Sequence, residues 1–86
     1  MWWYVYILKS LKNGLIYVGS TKNLKNRMDQ HNNGENLSTK AYIPWRLEAS
    51  IAVRTERQSR ELEKYFKTGS GKAILKKRIL TDEALA

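Results

Sequence analysis

Two short apolar runs around Asn13-Gly14 constrain this chain more than any other feature of it. Tyr4-Val5-Tyr6-Ile7-Leu8 precedes the pair, and Leu15-Ile16-Tyr17-Val18-Gly19-Ser20 follows it. Asn and Gly both tolerate positive φ, which favours the tight turns that match the twist of paired strands. The flanking residues are β-branched and aromatic, types that suit a pleated, half-buried surface. The segment is therefore predicted to be an antiparallel hairpin, with strands over residues 3–9 and 15–20. Side chains alternate between faces along a strand, so any loop with an even number of residues puts Tyr6 and Tyr17 on one face. A four-residue loop makes them diagonal neighbours, and a two-residue loop sets them further apart.

Helical signals follow. Asn23 suits an N-cap for a helix ending near Asn33-Gly34. Leu24, Met28 and His31 recur at helical spacing, and Arg27 and His31, four residues apart, share a face. Residues 33–44 read as a polar loop carrying Ser38-Thr39-Lys40 and closed by Pro44, and Trp45 to Val53 reads as a third strand. Thr55-Glu56-Arg57-Gln58 has the capping-box pattern and opens a second helix with an apolar stripe of Leu62, Tyr65 and Phe66. Gly69 is expected to stop it, and a short basic helix with Lys72, Lys76, Lys77 and Arg78 is expected after Ser70-Gly71. The order strand, strand, helix, strand, helix, helix makes an α+β protein. A chain of 86 residues has room for one small domain, placed at residues 1–80 with a C-terminal tail at 81–86, and its apolar side chains are expected in a single packed layer.

Composition narrows the chemistry. There is no cysteine, which removes disulfides and thiolate metal sites and fits a reducing cytoplasm. Met1-Trp2-Trp3-Tyr4 has no charged leader, and no apolar run approaches the roughly 20 residues needed to span a bilayer, so a soluble, cytoplasmic protein is expected. Lys and Arg number 16 against 8 Asp and Glu, a formal charge of +8. A positive field of that size favours polyanions, nucleic acid first, although a merely basic soluble protein or one meeting acidic lipid shares the signature.

A few residues in order carry candidate chemistry, each beside a plainer role. Tyr6 and Tyr17 suit strands and small cores whatever else they do. Gly19, just after a strand, admits a close approach of backbone or phosphate, or relieves crowding. Arg27 presents a fork of donors that matches phosphate oxygens, or is simply solvated. His31 can hold a phosphate or relay a proton, or can cap the carbonyls at the helix end. Glu63 lies at the edge of the apolar stripe; a lone carboxylate suits magnesium, which keeps several waters, and the alternative is an ion pair with Lys67 at i+4. From these residues the chain reads as a basic nucleic-acid-binding domain, with a metal-dependent phosphodiesterase as the chemistry they could support.

Those residues resemble the GIY-YIG nuclease family, small stand-alone bacterial members in particular, and are similar to the N-terminal nuclease domain of the excision-repair excinuclease. Tyr4-Val5-Tyr6 stands for the first half of the signature, with tyrosine in place of its glycine, and Tyr17-Val18-Gly19 for the second. Ser20-Thr21, the Arg27/His31 helix, Pro44-Trp45-Arg46-Leu47 and the stretch from Glu63 to Lys72 agree, so the resemblance runs from about Trp3 to Arg78. It implies a three-stranded antiparallel sheet flanked by helices and hydrolysis of nucleic-acid phosphodiesters with Mg²⁺ or Mn²⁺. Carried over, Glu63 binds the metal, Arg27 stabilises the scissile phosphate, Tyr6 and Tyr17 position or deprotonate the water, and His31 assists. Gly19, Lys22, Lys25, Lys40, Lys67 and Lys72 are assigned to nucleic-acid contact. The late asparagine of some relatives is missing, since no Asn follows Asn36. The reading is a DNA endonuclease directed by structure or damage, relying on its own basic faces or on a protein partner; nothing in the residues separates RNA from DNA. The alternative is a catalytically idle nucleic-acid-binding or adaptor domain, against which stand the filled polar positions.

Overall fold

The structure, a computed structural model, describes residues 1–80, and the tail expected at 81–86 lies outside them. The elements are β1 (Trp3–Ser10), β2 (Ile16–Thr21), α1 (Leu24–Asn32), a 3₁₀ turn (Lys40–Tyr42), β3 (Trp45–Val53), α2 (Glu56–Phe66), α3 (Gly69–Ile74) and a π-helical turn (Leu75–Ile79). One antiparallel sheet has the order β2-β1-β3.

The hairpin closes with a four-residue loop, in which the Ser10 amide donates to the Leu15 carbonyl at 2.8 Å and the Gly14 amide to the Ser10 carbonyl at 2.8 Å. Only Gly14 of the turn pair takes positive φ, at 78°. Asn13 contributes its side chain instead, whose Oδ1 accepts from the Leu15 amide at 3.1 Å. Tyr6 pairs with Gly19 and Leu8 with Tyr17, so the two tyrosines are diagonal neighbours on one face.

β1 is central, and that position corrects the expected single layer. Val5, Tyr6, Ile7 and Leu8 are all fully buried, because both faces of a central strand are covered. Val5 and Ile7 join Val18, Phe66 and Leu75 under α2 and α3. Tyr6 and Leu8 join Trp45 under α1, with Leu24, Met28 and Ile43 packed against them. Burying a side chain such as Phe66 is worth about 1.5–3 kcal/mol. β3 departs from its expected alternation at a bulge: Ile7 pairs with Ala49 and Leu8 with Leu47, which leaves Glu48 unpaired.

Asn23 caps α1 by accepting from the Asn26 amide at 3.0 Å. The capping box of α2 is complete: Thr55 Oγ1 accepts from the Gln58 amide and Gln58 Oε1 from the Thr55 amide, each at 3.1 Å. Its inward face is Ser59, Leu62 and Phe66; Tyr65, expected in the stripe, is exposed. Ser59 is satisfied in the interior by donating to the Glu56 carbonyl at 2.7 Å. Gly69 does not stop α2, which ends at Phe66. The Thr68 side chain accepts from the Gly71 amide at 3.1 Å and so caps a new helix that Gly69 enters at its first position.

Candidate active site

A polar cleft of about 510 Å³ opens along the β2 edge of the sheet, where the α1 and α2 layers meet. From the α1 side it receives Tyr6, Tyr17, Asn26 and Arg27; from the other, Trp3, Arg60 and Glu63. The Tyr6 ring reaches it by passing under Gly19, where a Cβ would overlap the Tyr6 hydroxyl and ring. Glycine is therefore required at the end of the second signature half for a steric reason that involves the first.

Behind the cleft runs a buried chain of hydrogen bonds. Tyr6 Oη lies 3.0 Å from His31 Nε2, and His31 Nδ1 lies 2.8 Å from Thr39 Oγ1. The Thr39 hydroxyl donates onward to the Asn36 carbonyl at 3.4 Å, and its own carbonyl accepts from Trp45 Nε1 at 2.9 Å. With the Asn36 carbonyl as an outlet for the Thr39 proton, the arrangement favours the tautomer in which His31 Nδ1–H donates to Thr39 Oγ1. That leaves Nε2 with the lone pair that takes the Tyr6 O–H. Tyr6, His31 and Thr39 are all fully buried.

Electrostatics follow from burial. Desolvation, with the neighbouring Tyr17 adding to it, pushes the Tyr6 hydroxyl up to about 12; Arg27 offsets part of the rise and Glu63 adds a little. Tyr6 is thus a neutral phenol at neutral pH. Burial first, and then Arg27, lowers His31 below the usual histidine value, so its imidazole is neutral as well. His31 has no solvent access through which to grip a phosphate, which corrects that reading of it; its ring is a partner for Tyr6 and not a helix-end cap.

Glu63 lines the cleft and also accepts from Lys67 Nζ at 2.7 Å, the i+4 pair weighed from the sequence. No group of three or more His, Cys, Asp or Glu is gathered among the described residues. The donor set is therefore one carboxylate in a polar cleft, which fits a hard divalent ion that keeps most of its waters.

The expected basic residues divide. Gly19 and Lys22 line the cleft beside Arg27. Lys25 points away, 90 % exposed and paired with Asp29 at 3.2 Å, and Lys40 is exposed on the 3₁₀ turn. Lys67 and Lys72 line a different, mostly apolar groove of about 520 Å³ between β2 and the C-terminal helices, with Leu15, Ile16 and Phe66. The rotation of α2 and α3 about their axes decides this, and a count of lysines does not carry it. Arg60, Asn26, Trp3 and Thr39 were missed. Arg60 lies one turn before Glu63, at the i+3 spacing that places residues on one helix face, a signal the sequence held; it also pairs with Glu56 at 2.7 Å.

The chain is similar to known proteins. The family model described as the GIY-YIG catalytic domain matches residues 2–78. A UPF0213 protein of Bacillus licheniformis is 36 % identical over 70 residues, covering 80 % of this chain and 71 % of its own. The solution NMR structure of a UPF0213 protein from Bacillus halodurans superposes with a TM-score of 0.53 at 31 % identity, covering 87 % of this chain and 82 % of that one.

Proposed function

The chain belongs to the GIY-YIG family, whose domains are nucleases acting on nucleic acid, and from that premise we propose that it is an endonuclease hydrolysing DNA phosphodiester bonds with a divalent cation. The observation that carries this reading is the meeting of Tyr6, Arg27 and Glu63 at one cleft, from β1, α1 and α2.

Each residue has a task that its surroundings suit. Arg27 directs a permanent charge and several donors at the non-bridging oxygens of the scissile phosphate, where negative charge grows in the transition state. Lys22 and Arg60 are placed to hold flanking phosphates. Tyr6 needs no ionisation to serve the attacking water. With its proton directed inward to His31, its oxygen faces the cleft, where Arg27 hydrogen-bonds it and a second lone pair is left for a water. As the water's proton passes to Tyr6 Oη, the phenol proton passes to His31 Nε2, and the phenol ends neutral while the imidazole carries the charge. The hydroxide so formed bonds to phosphorus as the P–O bond to the leaving oxygen breaks. The low affinity of His31 for its proton returns it through Tyr6 Oη to the cleft, matching the proton that the departing oxygen takes up. Tyr17, with its ring centroid 6.3 Å from that of Tyr6 and 5.1 Å from that of His31, fixes both rings and lines the cleft beside the water. Glu63 would hold the ion, Mg²⁺ or Mn²⁺, which when bound supplies charge for the leaving oxygen.

The test is a cleavage assay with Mg²⁺ or Mn²⁺ on single-stranded, duplex, flap and branched DNA and on single-stranded RNA, with Glu63→Ala run beside the wild type. Metal-dependent cutting that disappears in the variant is expected. The Glu63–Lys67 pair at 2.7 Å is the observation that favours the second reading, an adaptor whose carboxylate is already neutralised. Salt-sensitive binding with no cutting of any substrate would decide for it.

A further inference from the structure

Two tryptophans stand outside the core. Among the described residues neither Trp2 nor Trp3 joins either apolar cluster, although an indole has the largest surface of any side chain to hide. Trp2 is 41 % exposed, and Trp3 sits half-buried at the rim of the catalytic cleft. Each carries a cation against its ring. The Arg54 guanidinium carbon is 4.0 Å from the Trp2 centroid, and Lys22 Nζ is 5.4 Å from that of Trp3. Trp3 and Lys22 share the cleft with Arg27 and Glu63.

An aromatic ring beside ammonium and guanidinium groups is how proteins hold single strands, with bases stacking on the ring and cations tracking the phosphates. A base inside a duplex has both its faces covered by neighbouring pairs and cannot offer one to an indole. Arg27 enters the cleft from the α1 side and Trp3 from the opposite side with Lys22 against its ring, so a nucleotide adjoining a phosphate held by Arg27 shares the one cleft with that ring. We propose that Trp3 and Lys22 form a subsite for an unpaired nucleotide adjoining the scissile phosphate, so that the substrate is DNA single-stranded or melted at the cut. The assignment rests on the nuclease reading only for where the scissile phosphate lies.

Binding tests it directly. In EDTA, an oligonucleotide carrying 2-aminopurine is titrated with the protein, free and annealed to its complement. The single strand is expected to bind more tightly, with the 2-aminopurine fluorescence quenched by stacking. Trp3→Leu keeps apolar bulk without a ring; it is expected to lose the quench and weaken single-strand binding about tenfold or more, the scale of one lost base–aromatic stack. Trp3→Phe is expected to keep most of both, and Lys22→Ala to lower the salt dependence while keeping the quench. Fluorescence that stays unquenched, or Trp3→Leu binding single strands as the wild type does, overturns the subsite. The two readings separate in Mg²⁺: duplex cut as fast as single strand overturns the subsite and leaves the nuclease, while single-strand preference without cutting upholds the subsite and removes the nuclease.

Discussion

The two faces of the sheet grow from one strand and are held by different physics. Toward α2 and α3, Val5, Ile7, Val18, Phe66 and Leu75 form an apolar cluster, and buried Ser59 on that side bonds only to its own helix, at the Glu56 carbonyl. Toward α1, Tyr6 lies among Leu8 and Trp45 but is tied to His31, and His31 to Thr39, by hydrogen bonds at full burial. An apolar cluster tolerates small shifts, since dispersion and burial are not directional. A buried polar chain does not, because each unmade bond there costs a desolvation penalty. One face therefore holds the fold while the other fixes the position of a hydroxyl.

The contrast is broken most forcefully by changes that act on one face alone. Phe66→Ala on the dry face is expected to cost about 3–5 kcal/mol of stability through the cavity it leaves, a large share of what a small domain has. Turnover per folded molecule should stay near that of the wild type. Urea unfolding and turnover normalised to folded protein check both halves, and a loss of intrinsic turnover would mean that the dry face also shapes the site.

Arg27→Ala is the opposite case. The expected loss in turnover is about two to three orders of magnitude, or roughly 2.7–4 kcal/mol of transition-state stabilisation, with stability changed by about 0.5 kcal/mol or less. It should also let His31 rise toward its ordinary value, since Arg27 is the second cause of its depression. That shift is readable by NMR titration even on a protein without substrate. Near-normal turnover would return Arg27 to the role of a surface charge.

Tyr6→Phe falls between these two, because on the wired face one atom belongs to both fold and chemistry. Removing the hydroxyl leaves His31 Nε2 buried without its partner, a penalty of about 1–3 kcal/mol. It also removes the acceptor for the water's proton, which is expected to lower turnover about a hundredfold or more. Thr39→Val should reproduce a weaker form of the same double effect by freeing the His31 tautomer, and Thr39→Ser should restore it. ¹⁵N shifts of the imidazole distinguish the tautomers. A Thr39→Val protein with the wild-type tautomer and turnover would remove Thr39 from the chain.

What could be read in the sequence divides along similar lines. The hairpin, the Asn23 cap, the Thr55–Gln58 box and the bounds of β3 are local, set by residues within a few positions of one another. The shared face of Tyr6 and Tyr17 needed only parity. Thr39, by contrast, reads as one more polar residue in a loop, and its burial depends on His31 and Trp45 arriving from other elements. The two-sided core depends on β3 choosing the free edge of β1, a long-range pairing with no local mark. That Lys67 and Lys72 line a second groove and not the cleft could not be read either, because charge composition carries no information about helix rotation.

Acid provides the finest test, since the wired face contains a titrating group and the dry face contains none. His31 is the chain's one histidine, and histidine is the one side-chain type whose ordinary value falls between about pH 5 and 8. In the folded protein its value is lowered, by burial and then by Arg27. Below about pH 6.5 the unfolded chain takes up a proton that the folded one refuses, so the unfolded state binds more protons and stability falls as pH drops. The fall is limited to about 1.4 kcal/mol per pH unit and levels off once the folded value is passed. Above about pH 6.5 both states are neutral at this site and the effect vanishes. Urea midpoints measured at about pH 5.0, 5.75, 6.5 and 7.5, on either side of the ordinary histidine value, should show this slope in the wild type and in Phe66→Leu, and should lose it in His31→Gln. A slope that survives the loss of His31 would place the acid sensitivity elsewhere and would leave the polar chain behind Tyr6 without a measurable part in holding the fold.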